Sequence, residues 1–178
     1  PATESQPEKS KKGLYQIDDH FLRFWFRYVH PNQAAIDLGL ADAILEQRIA
    51  PDLEHFTAAA FEEAAREHVA ALARAGKLSF LPERIGGWWN RESEIDVLAV
   101  SHAQHALLAG ECKWSVNPVG NNVLEDLKRK VSGLNQTGEW QDIHYCLFSR
   151  SGFTSALLEQ ARSEKILLVS VDQMLTEI

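Results

Sequence analysis

Cysteine is scarce in this chain: two among 178 residues, Cys112 and Cys146. Two cannot build a disulfide framework, which points to a reducing compartment. Long apolar runs are missing too. None approaches the ~20 residues that a membrane helix needs, and residues 1–12 are polar and charged rather than a leader. Together these absences lead us to expect a cytoplasmic protein without membrane contact. The phosphate-loop pattern Gly-x4-Gly-Lys-Ser/Thr is absent, which excludes ATP hydrolysis by that route within these residues. The only methionine is Met174 and residue 1 is proline, so a C-terminal piece of a longer protein is expected. Positive charge is in deficit. With 18 Lys and Arg against 25 Asp and Glu, the net charge is −7, which argues against a constitutive nucleic-acid coat. It leaves room for a local basic patch, or for a metal that bridges carboxylates to phosphates. What is present is 45% apolar residues, enough to close a core in a chain of single-domain length.

Three stretches differ in pattern. Residues 1–12, polar with two prolines, read as a disordered linker. Residues 13–50 read as a helical segment. Its Phe21–Val29 run is apolar on nearly every side except Arg23 and Arg27, and is stopped by Pro31 and Asn32. Core packing is the favoured reading of that run; a contact surface for another domain or another copy is the functional one. Residues 51–178 read as one α/β domain. Pro51 to Ala75 is a helix stopped by Gly76. Strands are expected over Lys77–Arg84, Glu94–Ser101, Ala106–Trp114, Ile143–Ser149 and Ile166–Val171, the last read as buried. Helices are expected over Gly120–Leu134 and Thr154–Glu164. The order α-β-β-β-α-β-α-β implies a mixed sheet flanked by helices, with a parallel crossover after the third strand.

The chemistry concentrates on the central hairpin. Side chains alternate faces along a strand, so Glu111 and Lys113 point one way and Cys112 the other. A turn centred between Ala103 and Gln104 sets Asp96 opposite Glu111, with Cβ atoms ~5 Å apart. Two carboxylates that close repel each other. A divalent cation removes the repulsion, and oxygen donors suit Mg²⁺ or Mn²⁺. The helix before the sheet offers a third carboxylate. On a wheel of 100° per residue, Phe61, Ala65, Val69 and Leu72 mark the buried face. Glu62 lies at its edge and Glu63 toward solvent. Glu62, Asp96 and Glu111 are therefore the candidate metal ligands, and Lys113 completes the candidate catalytic set by orienting water or neutralising charge on phosphorus. The alternative is a surface carboxylate–lysine pair of little consequence.

A helix glutamate, then Asp96, then Glu111-x-Lys113 on this element order resembles the PD-(D/E)XK nuclease superfamily. A narrower resemblance covers residues from about 13 to 175. Tyr15-Gln16-Ile17-Asp18-Asp19, Phe21 to Val29, Phe61-Glu62, Trp88-Trp89-Asn90, Glu94 to Ala99, Gly110-Glu111-Cys112-Lys113-Trp114 and Ser149 to Phe153 are similar to the uncharacterised C-terminal domain of certain prokaryotic AAA-type ATPases. The resemblance implies a restriction-endonuclease-like αβββαβ core preceded by a short helical segment, the end of a winged-helix region. It also implies an ATPase module elsewhere in the full-length chain. Glu62, Asp96, Glu111 and Lys113 carry over as the metal and catalytic set. Ile95 stands where the superfamily's name has proline. The expected activity is metal-dependent hydrolysis of DNA; the alternative is a non-catalytic nucleic-acid-binding or regulatory module of the ATPase.

Smaller features follow. Lys128-Arg129-Lys130 is the best basic patch for a DNA backbone, with a solvated helix face as the plain reading. Asn121, with Asn117 and Asn122, is a candidate substrate contact in the loop after Lys113. Of Trp88 and Trp89, one is read as core and the other as core at a sheet end or a base-stacking residue, with core favoured. Ser149 to Gly152 reads as a turn before a helix, where backbone amides are able to hold an anion. His102 and His105 read as exposed turn residues, and both cysteines as small buried hydrophobes.

Overall fold

The computed structural model describes residues 17 and 19–176; the expected linker over 1–12 lies outside them. The chain divides into two compact units, one ending at Ala60 and the other containing Phe61 onward. In the first, α1 (His20–Phe24) is capped by Asp19, whose Oδ1 accepts the Leu22 N–H at 2.8 Å. Pro31 does not stop the helix, as the sequence led us to expect. The chain passes through a π turn (Trp25–Val29) and a 3₁₀ turn (His30–Asn32) into α2 (Gln33–Asp37). Gly39, at φ 82°, ends α2. Next come α3 (Ala41–Ile44), a second π turn (Leu45–Ile49) and α4 (Ala50–Arg74), which enters the second unit. Each π turn ends two residues before a proline, Pro31 or Pro51. A proline ring clashes with the carbonyl four residues back, and a widened turn relieves that clash without breaking the helix.

Tyr28, Ile44 and Ile49 form the core of this unit, joined by Phe24, Ala35, Ile36 and Phe56. The Tyr28 hydroxyl donates to Asp52 at 2.7 Å, and Arg27 Nε to the same oxygen at 2.7 Å. Burial of the whole Phe21–Val29 run is not observed. Tyr28 is buried, but Phe21 is 67% exposed and Phe26 51% exposed. The π turn rotates the run, so its aromatic side chains do not share one face.

The second unit is built on a five-stranded sheet in sequential order. Strands β1 (Arg84–Trp89) and β3 (Ala106–Lys113) each pair antiparallel with β2 (Glu94–Ser101) between them; β4 (Asp142–Ser149) and β5 (Leu167–Ser170) continue parallel to β3. Helices α5 (Asn121–Leu134) and α6 (Ser155–Glu164) make the two crossovers. Both cover one face, where Leu124, Leu127, Val131, Leu157 and Ala161 meet Leu98, Val100, Leu107 and Leu147. On the other face Phe61, Ala65 and Val69 of α4, and Met174 of α7 (Val171–Thr176), pack on Val97, Ala99, Leu108 and Phe148. This is the expected αβββαβ core with a mixed sheet flanked by helices.

Three expectations need correction. The first strand lies at Arg84–Trp89, not Lys77–Arg84. Pro82 cannot donate to a ladder, and Gly86-Gly87 makes the true strand look like a loop. The last strand is an edge, with Val169 alone buried, and Val171 begins α7 instead of ending β5. Among the described residues no helix is long and apolar enough to cross a membrane.

Candidate active site

The hairpin turn falls where the sequence places it: Ser101 pairs with Ala106, and Val97 with Gly110. The β2–β3 ladder ends there, one step short of Asp96 and Glu111. A β-bulge lies at this point. Gly86 pairs with Leu98 but Trp88 with Ile95, so Asp96 and Val97 together face Gly87. Face alternation slips by one residue across it: Ile95 joins Leu98 and Val100 in one cluster, while Val97 and Ala99 enter the other. Alternation continued from Val97–Val100 sets Asp96 on the face of Glu111, and the bulge interrupts that alternation at Asp96 itself. The Asp96 carbonyl accepts from Arg66 Nη1 at 2.9 Å, and its Oδ2 accepts the Cys112 N–H at 2.8 Å. The carboxylate takes over a backbone partner just where the two strands part.

Glu111 is 6% exposed. Its Oε1 accepts from Lys113 Nζ and its Oε2 from Lys130 Nζ, each at 2.8 Å. A buried carboxylate is costly unless paired, and this one is paired twice. Burial alone would lower the Lys113 pKa, but the hydrogen bond and charge of Glu111 outweigh it, so Lys113 is held above its ordinary value and stays protonated. No described lysine lies within ion-pair distance of Asp96. Burial first, and the charge of Glu111 second, push its pKa up from 3.8 to about 6. Glu62 sits half-buried on α4, as the wheel indicated. Burial, then the charge of Asp96, push it from 4.5 to about 7. Arg66 lies 3.9 Å from it and offsets this only in part. Helix α4 also buries His68, which the wheel reading did not single out.

The four sequence-identified residues thus lie within electrostatic reach of one another at one end of the sheet. Among the described residues, no three His, Cys, Asp or Glu side chains converge into a group able to cage a metal ion. The donors present are nonetheless of the right kind. Asp96 Oδ1 accepts no hydrogen bond from any described residue, and two carboxylates are raised in pKa by burial and mutual repulsion. Mg²⁺ is commonly held by one or two carboxylates with several waters kept, which this donor set fits without a closed cage.

The basic patch dissolves into ion pairs. Lys128 binds Glu164 at 2.7 Å and Glu125 at 3.3 Å, Arg129 binds Asp126, and Lys130 binds Glu111. Asn121 donates to Gln160. Lys130 therefore joins the site as a partner of Glu111, which reading Lys128 to Arg129 to Lys130 as one patch concealed. A helical wheel on α5 sets Lys128 and Lys130 on opposite edges of the Leu124–Leu127–Val131 stripe and Arg129 away from it. Their side-chain exposures, 28%, 18% and 80%, follow that order. Arg66 went unread because its partner is a backbone carbonyl.

The turn histidines are less exposed than expected in one case. His102 is half-buried, with Nδ1 2.9 Å from Glu139 and its ring against Trp140. Cys146 is buried and Cys112 half-buried; burial pushes both thiols up in pKa, so they are inert at neutral pH. Trp88 and Trp89 are both half-buried, and Trp88 packs on the core. At the Ser149–Gly152 turn, Ser149 Oγ takes the Ser151 N–H and donates to the Gly152 carbonyl, so this turn partly satisfies itself.

Comparison with known proteins places the chain among relatives. An uncharacterised protein of Methanocaldococcus jannaschii is 40% identical over 114 residues, covering 64% of this chain and 25% of the relative. The chain thus spans about a quarter of the length of the curated relative it matches. A repair endonuclease from Pyrococcus abyssi aligns in structure over 60% of this chain and 44% of that one, with 17% identity and a TM-score of 0.40. A family model described as archaeal and bacterial proteins of unknown function, DUF234, matches residues 25–129. That is more than half of the chain, and the protein belongs to this family.

Proposed function

We propose that this domain hydrolyses phosphodiester bonds in DNA with Mg²⁺ or Mn²⁺. The observation that carries the reading is the concentration of Glu62, Asp96, Glu111 and Lys113 where β2 and β3 part. Asp96 and Glu111 would hold the ion, with Glu62 reaching it directly or through a water. A bound ion would lower the pKa of a coordinated water and draw charge from a phosphate oxygen. Lys113, kept protonated by Glu111, supplies a positive group for charge developing on phosphorus. Where Glu62 reaches the ion through a water, its carboxylate is placed to accept a proton from that water. In this proposal the domain acts in the cytoplasm, as part of a longer chain that carries an ATPase module.

A second reading has one observation in its favour. A buried glutamate clasped by two lysines is also what a purely structural ion triad looks like. On that reading the domain binds nucleic acid or regulates the ATPase without cutting, and the exposed Phe21 and Phe26 serve as a contact surface for another domain or copy. The test is to incubate the protein with single-stranded, linear duplex and supercoiled DNA in Mg²⁺, Mn²⁺ or EDTA, beside Lys113→Ala. Cleavage that needs metal and vanishes in a folded variant supports the nuclease reading. Absence of cleavage under every condition, with wild type and variant shifting DNA equally, refutes it for this domain and favours the second.

A further inference from the structure

Cations around the candidate site are nearly all engaged by carboxylates. Lys113 and Lys130 hold Glu111, Lys128 holds Glu164 and Glu125, and Arg129 holds Asp126. Arg66 faces Glu62 and donates to the Asp96 carbonyl. Arg150 differs. It is exposed at the end of β4, and no carboxylate among the described residues lies within ion-pair distance of it. Its guanidinium is nevertheless held in place. The central carbon lies 5.0 Å from the centre of the Trp114 ring, and Trp114 in turn packs on Phe61 with ring centres 5.2 Å apart. The backbone fixes the same geometry. Lys113 pairs with Ser149 across β3 and β4, the Arg150 N–H donates to the Lys113 carbonyl at 3.1 Å, and Ser151 Oγ donates to the Ser115 carbonyl at 2.6 Å. Every member of the stack adjoins the candidate catalytic set: Phe61 precedes Glu62, Trp114 follows Lys113, and Arg150 is bonded to Lys113.

An arginine stacked on an aromatic face keeps its planar N–H edge outward and loses little rotamer freedom on binding. That edge suits the paired oxygens of a phosphate. We infer that Arg150, stacked on Trp114 beside Lys113, grips the phosphodiester backbone of a nucleic-acid strand at this site. The choice of ligand rests on the nuclease reading; the grip itself rests on the exposed, stacked and uncompensated guanidinium.

Binding of a labelled 20-nucleotide single-stranded DNA, titrated in EDTA from 25 to 200 mM salt, separates the two ideas because no cleavage occurs. Arg150→Ala should weaken binding about five- to tenfold at low salt and flatten the log–log salt slope by about 0.7, one phosphate contact on a single strand. Arg150→Lys should restore the slope while recovering only part of the affinity, since lysine keeps the charge and loses the stacked fork. Arg162→Ala, which removes the same charge from exposed α6, should change affinity less than twofold. Equal affinity and slope in wild type and Arg150→Ala overturn the inference; a nuclease activity measured in Mg²⁺ would survive that result. Failure of the wild type to bind at any salt overturns it as well. Binding that depends on Arg150, in a protein that cuts nothing in any metal, supports the grip and removes the nuclease reading.

Discussion

Replacing Asp96 with asparagine should make the protein more stable at alkaline pH, against the usual expectation for a polar residue in a core strand. Burial and Glu111 raise the Asp96 pKa from 3.8 to about 6. The folded chain therefore binds more protons than the unfolded one between those two values. Stability is greatest below the unfolded value and is lost as pH rises through the window to the folded value. A rise of about two pKa units corresponds to about 3 kcal/mol of ionisation cost at pH 8. Asparagine avoids that cost and still presents an oxygen to the Cys112 N–H. The value of about 6 already includes the Cys112 hydrogen bond and the attraction of Lys113 and Lys130, so neither is subtracted again. A net gain of about 2–3 kcal/mol at pH 8, shrinking to nothing near pH 4, is the expected balance. Urea denaturation of wild type and variant at pH 4, 6 and 8, without divalent ions, reads it directly. Glu62, raised to about 7 by burial and then by the charge of Asp96, tilts the stability of both proteins the same way but less in the variant, which widens the difference between them in the same direction. A difference that does not change with pH, or a variant less stable at pH 8 than at pH 4 relative to wild type, would show that Asp96 is not held above its ordinary pKa.

Two other substitutions test parts of the same scaffold. Gly110→Ala should destabilise by about 1–3 kcal/mol, read by denaturation, because its Cβ would sit 2.6 Å from Cys146 Sγ and 3.0 Å from Val97 Cβ. An unchanged midpoint would mean that the Gly110–Cys146 approach is looser than described. Lys113→Ala should cost only about 1 kcal/mol, since its side chain is 41% exposed and Lys130 still holds Glu111; a melted variant would contradict that and disqualify it as the catalytic control.

How far the sequence reveals this site depends on which interactions are local. The order of elements and the hairpin register were legible because the apolar runs within Glu94–Ser101 and Ala106–Lys113 are nearly continuous and the turn between them is short. The edge position of Glu62 was legible for the same reason: Phe61, Ala65, Val69 and Leu72 define a buried stripe. The bulge at Asp96 was not, since it appears only when β1 pairs with β2 and that register slips opposite Gly87. The first strand was misplaced because Gly86 and Gly87 carry no strand signal of their own. The two π turns escaped as well. A proline in a helical pattern reads as a stop, and only the packing of Tyr28, Ile44 and Ile49 makes a widened turn preferable to a break. Lys130 and Arg150 were misread or passed over for a common reason. Their meaning lies in partners 19 and 36 residues away in sequence, Glu111 and Trp114, which no local pattern announces.

Lys130 offers a result in which stability and ion binding move in opposite directions. Its ammonium occupies Glu111 Oε2 at 2.8 Å, while Lys113 occupies Oε1. An incoming divalent cation and Lys130 therefore compete for one oxygen. Lys130→Met keeps the length of the stem, which is only 18% exposed, and removes the charge. Glu111, 6% exposed, is left with one partner, and a cost of about 1–3 kcal/mol is expected without metal. The same vacated oxygen should strengthen Mn²⁺ binding. If affinity rises about tenfold, saturating Mn²⁺ returns about 1.4 kcal/mol to the variant beyond what it gives the wild type. Thermal unfolding with and without millimolar Mn²⁺ distinguishes this from a structural triad. In a triad with no metal role, Mn²⁺ shifts the melting of neither protein, and the variant simply stays weaker. Equal stabilisation of wild type and variant by Mn²⁺ would also refute the competition, because it would place the ion on carboxylates that Lys130 does not touch.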